Sequence, residues 1–388
     1  MVTIEAAGPR PVLTPPLMLE EGSDANYRAP NLLKRILSLL NNVRPGSDLT
    51  RLQLPPMFNL PKSQLQCYGE SVYCMGSDLL SKCANEGTSL ERFVSVVAWS
   101  ISTMRPLMFG VAPYNPILGE THHVSRGTLN VLLEQVSHHP PVTALHATDE
   151  KNNIEMIWCH YPVPKFHGTR IETEVHGKRQ LKLLHKEETY EMNSPKLVIR
   201  FLPVLGVDWL GNVTIKCQET GIAAELSYRG NSFLPRQGNH RSINGRIFMT
   251  SSSSKIIYEI SGHWDRIVTA KDLTTGKSKV IYDAKEVLSG VKTPIVKESQ
   301  GIWPTESTVV WADVSQAIIN KFWEKAKEAK SSIEEREREI TQERNSKGEN
   351  WVPKHFTVSY KESGWACLPI QRSVPPAPIV VPFNPFET

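Results

Sequence analysis

The chain has 388 residues and a net charge of +4, with a pI of about 8.6, which is too mild a balance to indicate a nucleic-acid partner. No run reaches the ~18 apolar residues of a membrane-spanning helix, and residues 1 to 21 lack the basic start and apolar core of a signal peptide. Six scattered cysteines without a Cys-x-x-Cys form neither a disulfide framework nor a zinc ribbon, so a soluble, cytosolic protein is expected.

Residues 1–30 contain Pro9, Pro11, Pro15, Pro16 and Pro30 without a sustained period, which predicts a flexible N-terminal arm. From Asn31, placed as an N-cap, to Val43 the spacing is helical. Leu32, Leu33, Ile36, Leu39, Leu40 and Val43 share one face, with Lys34, Arg35, Ser38, Asn41 and Asn42 opposite. Such a helix ordinarily packs on a core. Pro45-Gly46 ends it, and Leu52 to Phe58 leads the chain back to the body. Residues 65–105 again read as helical, with Leu90, Phe93, Val97 and Ile101 on one face and Pro106 as the stop.

Thr128 to Leu133 is strand-like and leads into Glu134-Gln-Val-Ser-His-His-Pro-Pro141. Pro140 and Pro141 have no backbone donors, so the ladder is expected to falter there and leave His138 and His139 at a strand end. Imidazoles at a sheet rim can donate hydrogen bonds to an anion such as phosphate. From about His122 to Ala284 the period is two, broken by turns such as Arg126-Gly127, His176-Gly177 and Thr275-Gly276. Ile171, Thr173 and Val175 alternate with Glu172 and Glu174, and Val213, Ile215 and Cys217 with Thr214, Lys216 and Gln218. About ten or more antiparallel strands in series require two packed sheets or closure into a barrel, and the pattern does not choose between them.

A long helix is expected from about Asp313 to Arg344, with Ile319, Ala326, Ile333 and Ile340 repeating every seven residues as a seam. On another stripe Lys330, Glu334 and Arg338 advance about 40° at each step and line up; on their own they read as a solvated charge ladder. The end of the chain, from Cys367, reads as a flexible proline-rich tail, and Asn384-Pro385-Phe386 resembles the ligand of endocytic adaptor domains.

His122-His123, His138-His139 and Cys159-His160 invite a metal-hydrolase reading. Adjacent strand residues point to opposite faces, however, and no His-Glu-x-x-His is present. Gly276-Lys277-Ser278 suits a hairpin turn better than a P-loop, whose first glycine would fall at Lys271. No Gly-x-Ser-x-Gly occurs. Catalytic residues, metal and cofactor are therefore not expected.

The string Glu134 to Pro141, with Asn115-Pro-Ile-Leu-Gly-Glu120 upstream, resembles the signature of the oxysterol-binding protein family. The resemblance runs from about Asn31 to His355, and the flanks resemble short plant members made of the lipid-binding domain alone. It implies an α+β, mostly antiparallel fold: a large incomplete β-barrel around a hydrophobic tunnel, with an N-terminal helical lid and helical region and a long C-terminal helix. The lipid-binding domain would span 31–365, comprising lid (31–60), helical part (61–106), barrel (107–290) and C-terminal helical subdomain (291–365), followed by the tail at 366–388. Leu32, Leu33, Ile36, Leu39 and Leu40 would then face lipid, with Lys34, Arg35 and Arg44 near anionic head groups at about 1 kcal/mol each.

Counting back from Lys347-Gly-Glu-Asn-Trp351, which resembles the family's Lys-Gly-x-x-Trp, carries its headgroup-binding residues onto Lys330, Glu334 and Arg338. With His138, His139 and the backbone of Asn115 and Leu118 they would bind phosphatidylinositol 4-phosphate, Glu334 holding the two cations apart. Many relatives have a lysine where this chain has Ala112, a loss that Arg105 could offset. The implied activity is exchange of a sterol for that phosphoinositide between membranes by a monomer peripheral to endoplasmic reticulum, Golgi or plasma membrane. Phosphatidylserine as the second cargo, a sensor or tether without net transfer and, last, a lipid hydrolase are the other readings.

Overall fold

The computed structural model describes residues 10–17, 29–75, 79–105, 107–230, 241–362 and 364–382. Helix α1 (Leu32–Leu40) is followed by strand β1 (Asn59–Ser63) and helices α2 (Gln64–Tyr73), α3 (Leu79–Asn85) and α4 (Ser89–Ser102). Next come β2 (Ala112–Tyr114), β3 (Thr121–Arg126), β4 (Leu129–His138), β5 (Pro141–Asp149), β6 (Ile154–Phe166) and β7 (Arg170–Leu183). They are followed by β8 (Glu188–Met192), β9 (Lys196–Arg200), β10 (Gly206–Cys217), β11 (Ile222–Arg229), β12 (Ser242–Met249), β13 (Ser252–His263), β14 (Ile267–Asp272) and β15 (Ser278–Asp283). The chain ends with α5 (Ala284–Leu288), β16 (Ile295–Val296), α6 (Ser307–Val310), α7 (Ala312–Ile319), α8 (Trp323–Ser346), β17 (Phe356–Lys361), β18 (Gly364–Pro369) and β19 (Ile379–Val380).

Strands β3 to β15 pair antiparallel in a fifteen-stranded sheet that also takes in β16 and β19. Among the described residues no pairing joins β15 to the other edge, so the sheet stays open. It nevertheless wraps a common centre. One apolar cluster includes inward residues of successive strands, from Val124, Leu133 and Leu145 through Trp158 and Leu181 to Val213, Leu226, Ile260 and Tyr282. Val72 of α2 and Phe93, Val97 and Ile101 of α4 belong to the same cluster. Helix α2 packs on β3 and β4 near one edge while α4 packs on β15 at the other, so the helices fill part of the space that the sheet encloses.

Capping boxes start both helices. Ser63 and Gln66 cap α2, and Thr88 and Glu91 cap α4. A buried bidentate pair, Arg92 with Glu188, which also accepts from Tyr190 OH at 2.7 Å, ties α4 to β8. The alternation expected on β10 holds, with Val213, Ile215 and Cys217 buried and Lys216 exposed. Gly276 takes φ +72° in the β14–β15 turn, as a hairpin reading of Gly276-Lys277-Ser278 requires.

Several expectations are corrected. The helix predicted from 313 to 344 is two helices, because Lys321 sits in the left-handed region at φ 60° and Phe322 N turns back to Ala317 O. Ile319 thus ends α7 and does not continue a seam with Ala326, Ile333 and Ile340. The proline-rich end is not loose through Pro382: β19 pairs parallel with β3, Ala377 N donates to Ser125 Oγ at 2.7 Å, and Val374 N donates to Thr148 Oγ1 at 3.0 Å. Asn384-Pro385-Phe386 lies outside the described residues. Nor is the N-terminal arm loose over 10–17, where Val12 N donates to Thr308 O at 3.0 Å and Leu17 is buried. Residues 1–9 and 18–28 lie outside the description.

Candidate functional site: a rim of histidines and a basic helix

Strand β4 keeps its ladder through His138, which pairs with Pro141 of β5, so His139 and Pro140 form the turn and the prolines do not interrupt the strand before it. A bulge between Gln135 and Ser137 shifts the register just ahead of the histidines. Both imidazoles stand at the strand end as expected, with ring centroids 4.6 Å apart and His139 exposed. His138 Nδ1 lies 3.0 Å from the carbonyl oxygen of Pro116. A carbonyl only accepts, so Nδ1 carries the proton and Nε2 is left as the variable atom. Burial first, then the neighbouring His139, lowers the His138 pKa, and the Pro116 carbonyl opposes the shift.

The Asn-Pro segment is held rigidly from below. Glu120 is fully buried, accepts from Ser63, Ser307 and Trp311 side chains, and takes the Ile117 N–H at 3.0 Å. Gly119 has φ +79° and lies against Trp351, so a side chain there would be both strained and crowded. Asn115 is exposed at the turn, and Leu118 is half-buried. Glu134 accepts from the backbone N–H groups of Lys354 and His355 at 2.8 and 2.9 Å. The acids of both signature strings therefore act as internal pins that position the rim, a role that sequence reasoning missed.

On α8, Lys330 is buried and donates to Leu54 O and to Asn59 Oδ1, the latter at 2.9 Å. Asn59 Nδ2 in turn donates to Ala112 O at 3.2 Å and Pro113 O at 3.4 Å. His138 and Lys330 thus bond to one short segment, 112–116, Lys330 through Asn59, and so few residues span at most about 15 Å. Burial pushes the Lys330 ammonium down while Glu334, 3.8 Å away, opposes it. The 40° drift per step explains the rest of the stripe: Lys330 is buried, Glu334 half-buried and Arg338 exposed.

Two details of the expected site are corrected. Arg338 pairs at 3.9 Å with Glu335, so Glu334 does not stand between both cations. Arg105 does not replace the cation missing at Ala112, because its buried guanidinium donates to the carbonyls of Glu70 and Cys74 at the end of α2. The Asn59 amide links Lys330 to the backbone of Ala112 without supplying a charge, and no motif announced it.

Helix α1 lies over a satellite cluster apart from the main core. Ile36 and Leu40 are buried with Leu49, Phe58, Phe166 and Phe201, while Leu32, Leu33, Leu39 and Val43 pack at its margin. The seat depends on Gly110, at φ +83°, where a Cβ would come within 2.5 Å of Leu32. Lys34, Arg35 and Arg44 are exposed, and Arg35 donates to Pro30 O at 3.1 Å and to Met57 Sδ at 3.5 Å. Asn31 stands at the N-cap position but in a left-handed conformation, and its side chain makes no capping bond. The neighbouring pair on β3 has structural roles: His122 bridges Glu306 Oε1 at 2.7 Å and Tyr73 OH at 2.8 Å, and His123 stacks on Trp303.

The family model for oxysterol-binding protein matches residues 36–368. The chain belongs to the oxysterol-binding protein family. Oxysterol-binding protein-related protein 4C of Arabidopsis thaliana is 54% identical over 96% of this chain and 98% of its own length. The related protein 4B of the same plant is 53% identical over 95% and 97%. Among solved structures, the Osh1 ORD domain in complex with cholesterol superposes with a TM-score of 0.71 at 20% identity, covering 92% of this chain and 90% of that one. The Osh3 ORD in complex with PI(4)P from Saccharomyces cerevisiae gives 0.69 at 20% identity over 95% and 96%. At that identity the likeness is one of fold. The incomplete, mostly antiparallel barrel with its N-terminal helix is therefore the family's architecture.

Proposed function

We propose that the protein is a lipid-transfer protein that exchanges a sterol for phosphatidylinositol 4-phosphate between membranes. The observation that carries this reading is the convergence of His138 and Lys330, through Pro116 and Asn59, on the segment 112–116 at the sheet rim. In this reading His138, His139, Lys330, Glu334 and Arg338 hold the phosphoinositide head group, with backbone groups of Asn115 and Leu118, and Arg338 is the exposed cation free to swing inward. The acyl chains or a sterol occupy the apolar interior, and α1 closes over them.

The energetics favour such a container. Each methylene taken from a bilayer into water costs roughly 0.8 kcal/mol, and an apolar interior removes that cost. Mutual exclusion of two cargoes would let the gradient of one drive the other by mass action. The related Osh1 domain holds cholesterol and Osh3 holds PI(4)P, which supports this pair of cargoes. The protein would act as a monomer in the cytosol, touching anionic membrane surfaces through Lys34, Arg35 and Arg44.

The test is extraction of labelled lipids from liposomes. His138→Ala with His139→Ala should abolish phosphoinositide extraction and spare sterol extraction. Equal loss of both would point to misfolding or to a misplaced site, and membrane aggregation without lipid movement would favour a tether.

A further inference from the structure

Away from the rim, the enclosed face of the sheet carries a cluster of polar groups that the headgroup reading leaves unused. Arg179 of β7 is 1% exposed; its Nη1 donates to Thr103 Oγ1 at 2.7 Å and its Nη2 to Asn193 O at 3.0 Å, while Nε has no protein partner. Its guanidinium stands 5.6 Å from the ring centre of Trp158 on β6. Trp158 Nε1 is buried without a partner, as is Nε1 of Trp99 on α4, whose ring lies 6.2 Å from that of Trp158. His160, two residues on along the same face, lies 5.5 Å from Trp158 and 5.4 Å from Tyr68 of α2, and its Nε2 is also unpartnered. Gln135 of β4 accepts at its Oε1 from Thr143 Oγ1 at 2.7 Å, and its Nε2 is left without a partner. Thr143 is the register partner of His160, which joins these residues across the strands.

Two features of this cluster decide what it could hold. The unpartnered atoms of Arg179, Trp158, Trp99 and Gln135 are donors, and each buried donor left unpaired is costly. The guanidinium also has no carboxylate in contact among the described residues, since its partners are a hydroxyl and a carbonyl. A buried cation without a counter-charge is among the least favourable arrangements in a protein interior. A hydroxyl on a ligand could accept from one or two of the donors but would leave the charge unmatched. One monoanion with two acceptor oxygens answers both needs. Around the cluster the interior is apolar, with Leu133, Leu145, Met156 and Leu181, so the remainder of such a ligand must be hydrocarbon.

We propose that the inner donor cluster is a binding site for the carboxylate of an acidic lipid, whose oxygens accept from Arg179 Nε and Trp158 Nε1 with Gln135 or His160, and whose hydrocarbon body lies in the apolar interior. The inference rests on the reading that this interior takes up lipid. Such a cargo sits with its polar end innermost, the reverse of a phosphoinositide held by its head group at the rim. Burial beside Arg179 keeps His160 neutral down to about pH 3, so the site carries a single positive charge and suits one carboxylate better than a doubly charged phosphate.

The experiment compares oleate with oleyl alcohol on the full chain, by native mass spectrometry and by displacement of a fluorescent fatty acid, with sterol and phosphoinositide binding measured in parallel. Oleate is expected to bind at least about tenfold tighter than the alcohol, the strength of one charge-assisted hydrogen bond. Arg179→Met should erase that preference and leave alcohol binding in place, and Trp158→Phe, which keeps the ring and removes the N–H, should narrow it. If Arg179→Met melts well below the parent, Trp158→Phe decides. Equal affinity for acid and alcohol, or a preference unchanged in these variants, overturns the proposal while leaving sterol or phosphoinositide uptake intact. Failure to bind any of the four lipids overturns both readings.

Discussion

His138 can offer Nε2 to an anion only after it takes up a proton, because its Nδ1–H is already committed to the Pro116 carbonyl. Burial and the neighbouring His139 hold its pKa below the usual 6.5, so near pH 7 the free protein carries it mainly neutral. A phosphate at the rim reverses that balance, since an adjacent anion favours the charged ring. Phosphoinositide binding should therefore consume a proton and strengthen as pH falls from 7.5 to 6. Calorimetry in buffers of different ionisation enthalpy measures this directly: the expected uptake approaches one proton and disappears in His138→Ala, whereas a buffer-independent heat would remove His138 from the headgroup site. At this scale the sequence was most legible where a string is distinctive. His138 and His139 stand where the proline pair placed them, but Asn59, Glu120 and Glu134 were silent. Their roles depend on partners far apart along the chain, Ser63 with Glu120 at 57 residues, Glu134 with Lys354 at 220 and Asn59 with Lys330 at 271, and no local spacing encodes such pairings.

Among the elements, those with a strong period were readable. The amphipathic helix at 31–43 appears as α1, and Phe93, Val97 and Ile101 of α4 are fully buried on the predicted face. The break between α7 and α8 escaped because Asn320-Lys321-Phe322 contains no proline or glycine, and one left-handed lysine makes the turn. That conformation costs an L-residue about 1–2 kcal/mol, most of all a β-branched one. Lys321→Val should thus be less stable than Lys321→Gly by about 1–2 kcal/mol, read from urea midpoints, and equal midpoints would mean that the turn is not strained. The lid allows a functional version of the same test. Gly110→Val would place a side chain against Leu32 and Ile36 at a positive φ, so α1 should lose its seat. Faster proteolysis within 32–58 and leakier retention of bound lipid are expected, with the strands of the barrel still protected.

Across the whole molecule, tertiary context overrode composition at both ends. Proline-rich segments were read as loose, yet residues 10–17 and 370–382 lie against the body, and prolines suit a covering strap because they need few hydrogen bonds of their own. Mild net charge likewise conceals a strongly uneven interior, and acid should expose it. His160, buried near Arg179, has its pKa lowered from 6.5 to about 3. The unfolded chain therefore takes a proton near pH 6.5 that the folded protein refuses until about pH 3, so stability is fully present above 6.5 and declines as pH falls through that interval. Glu155, bonded to His146 and Lys182, is lowered to about 2, and it adds a second loss in the same direction between about 4.5 and 2. Urea unfolding from pH 7.5 to 3.5 should accordingly show a decline beginning near 6.5 and steepening below 4.5. His160→Phe should flatten the upper part of that decline without touching the lower. An unchanged slope between 6.5 and 4.5 in this variant would show that His160 reaches solvent in the native state, and the water-excluded interior on which both binding proposals depend would go with it.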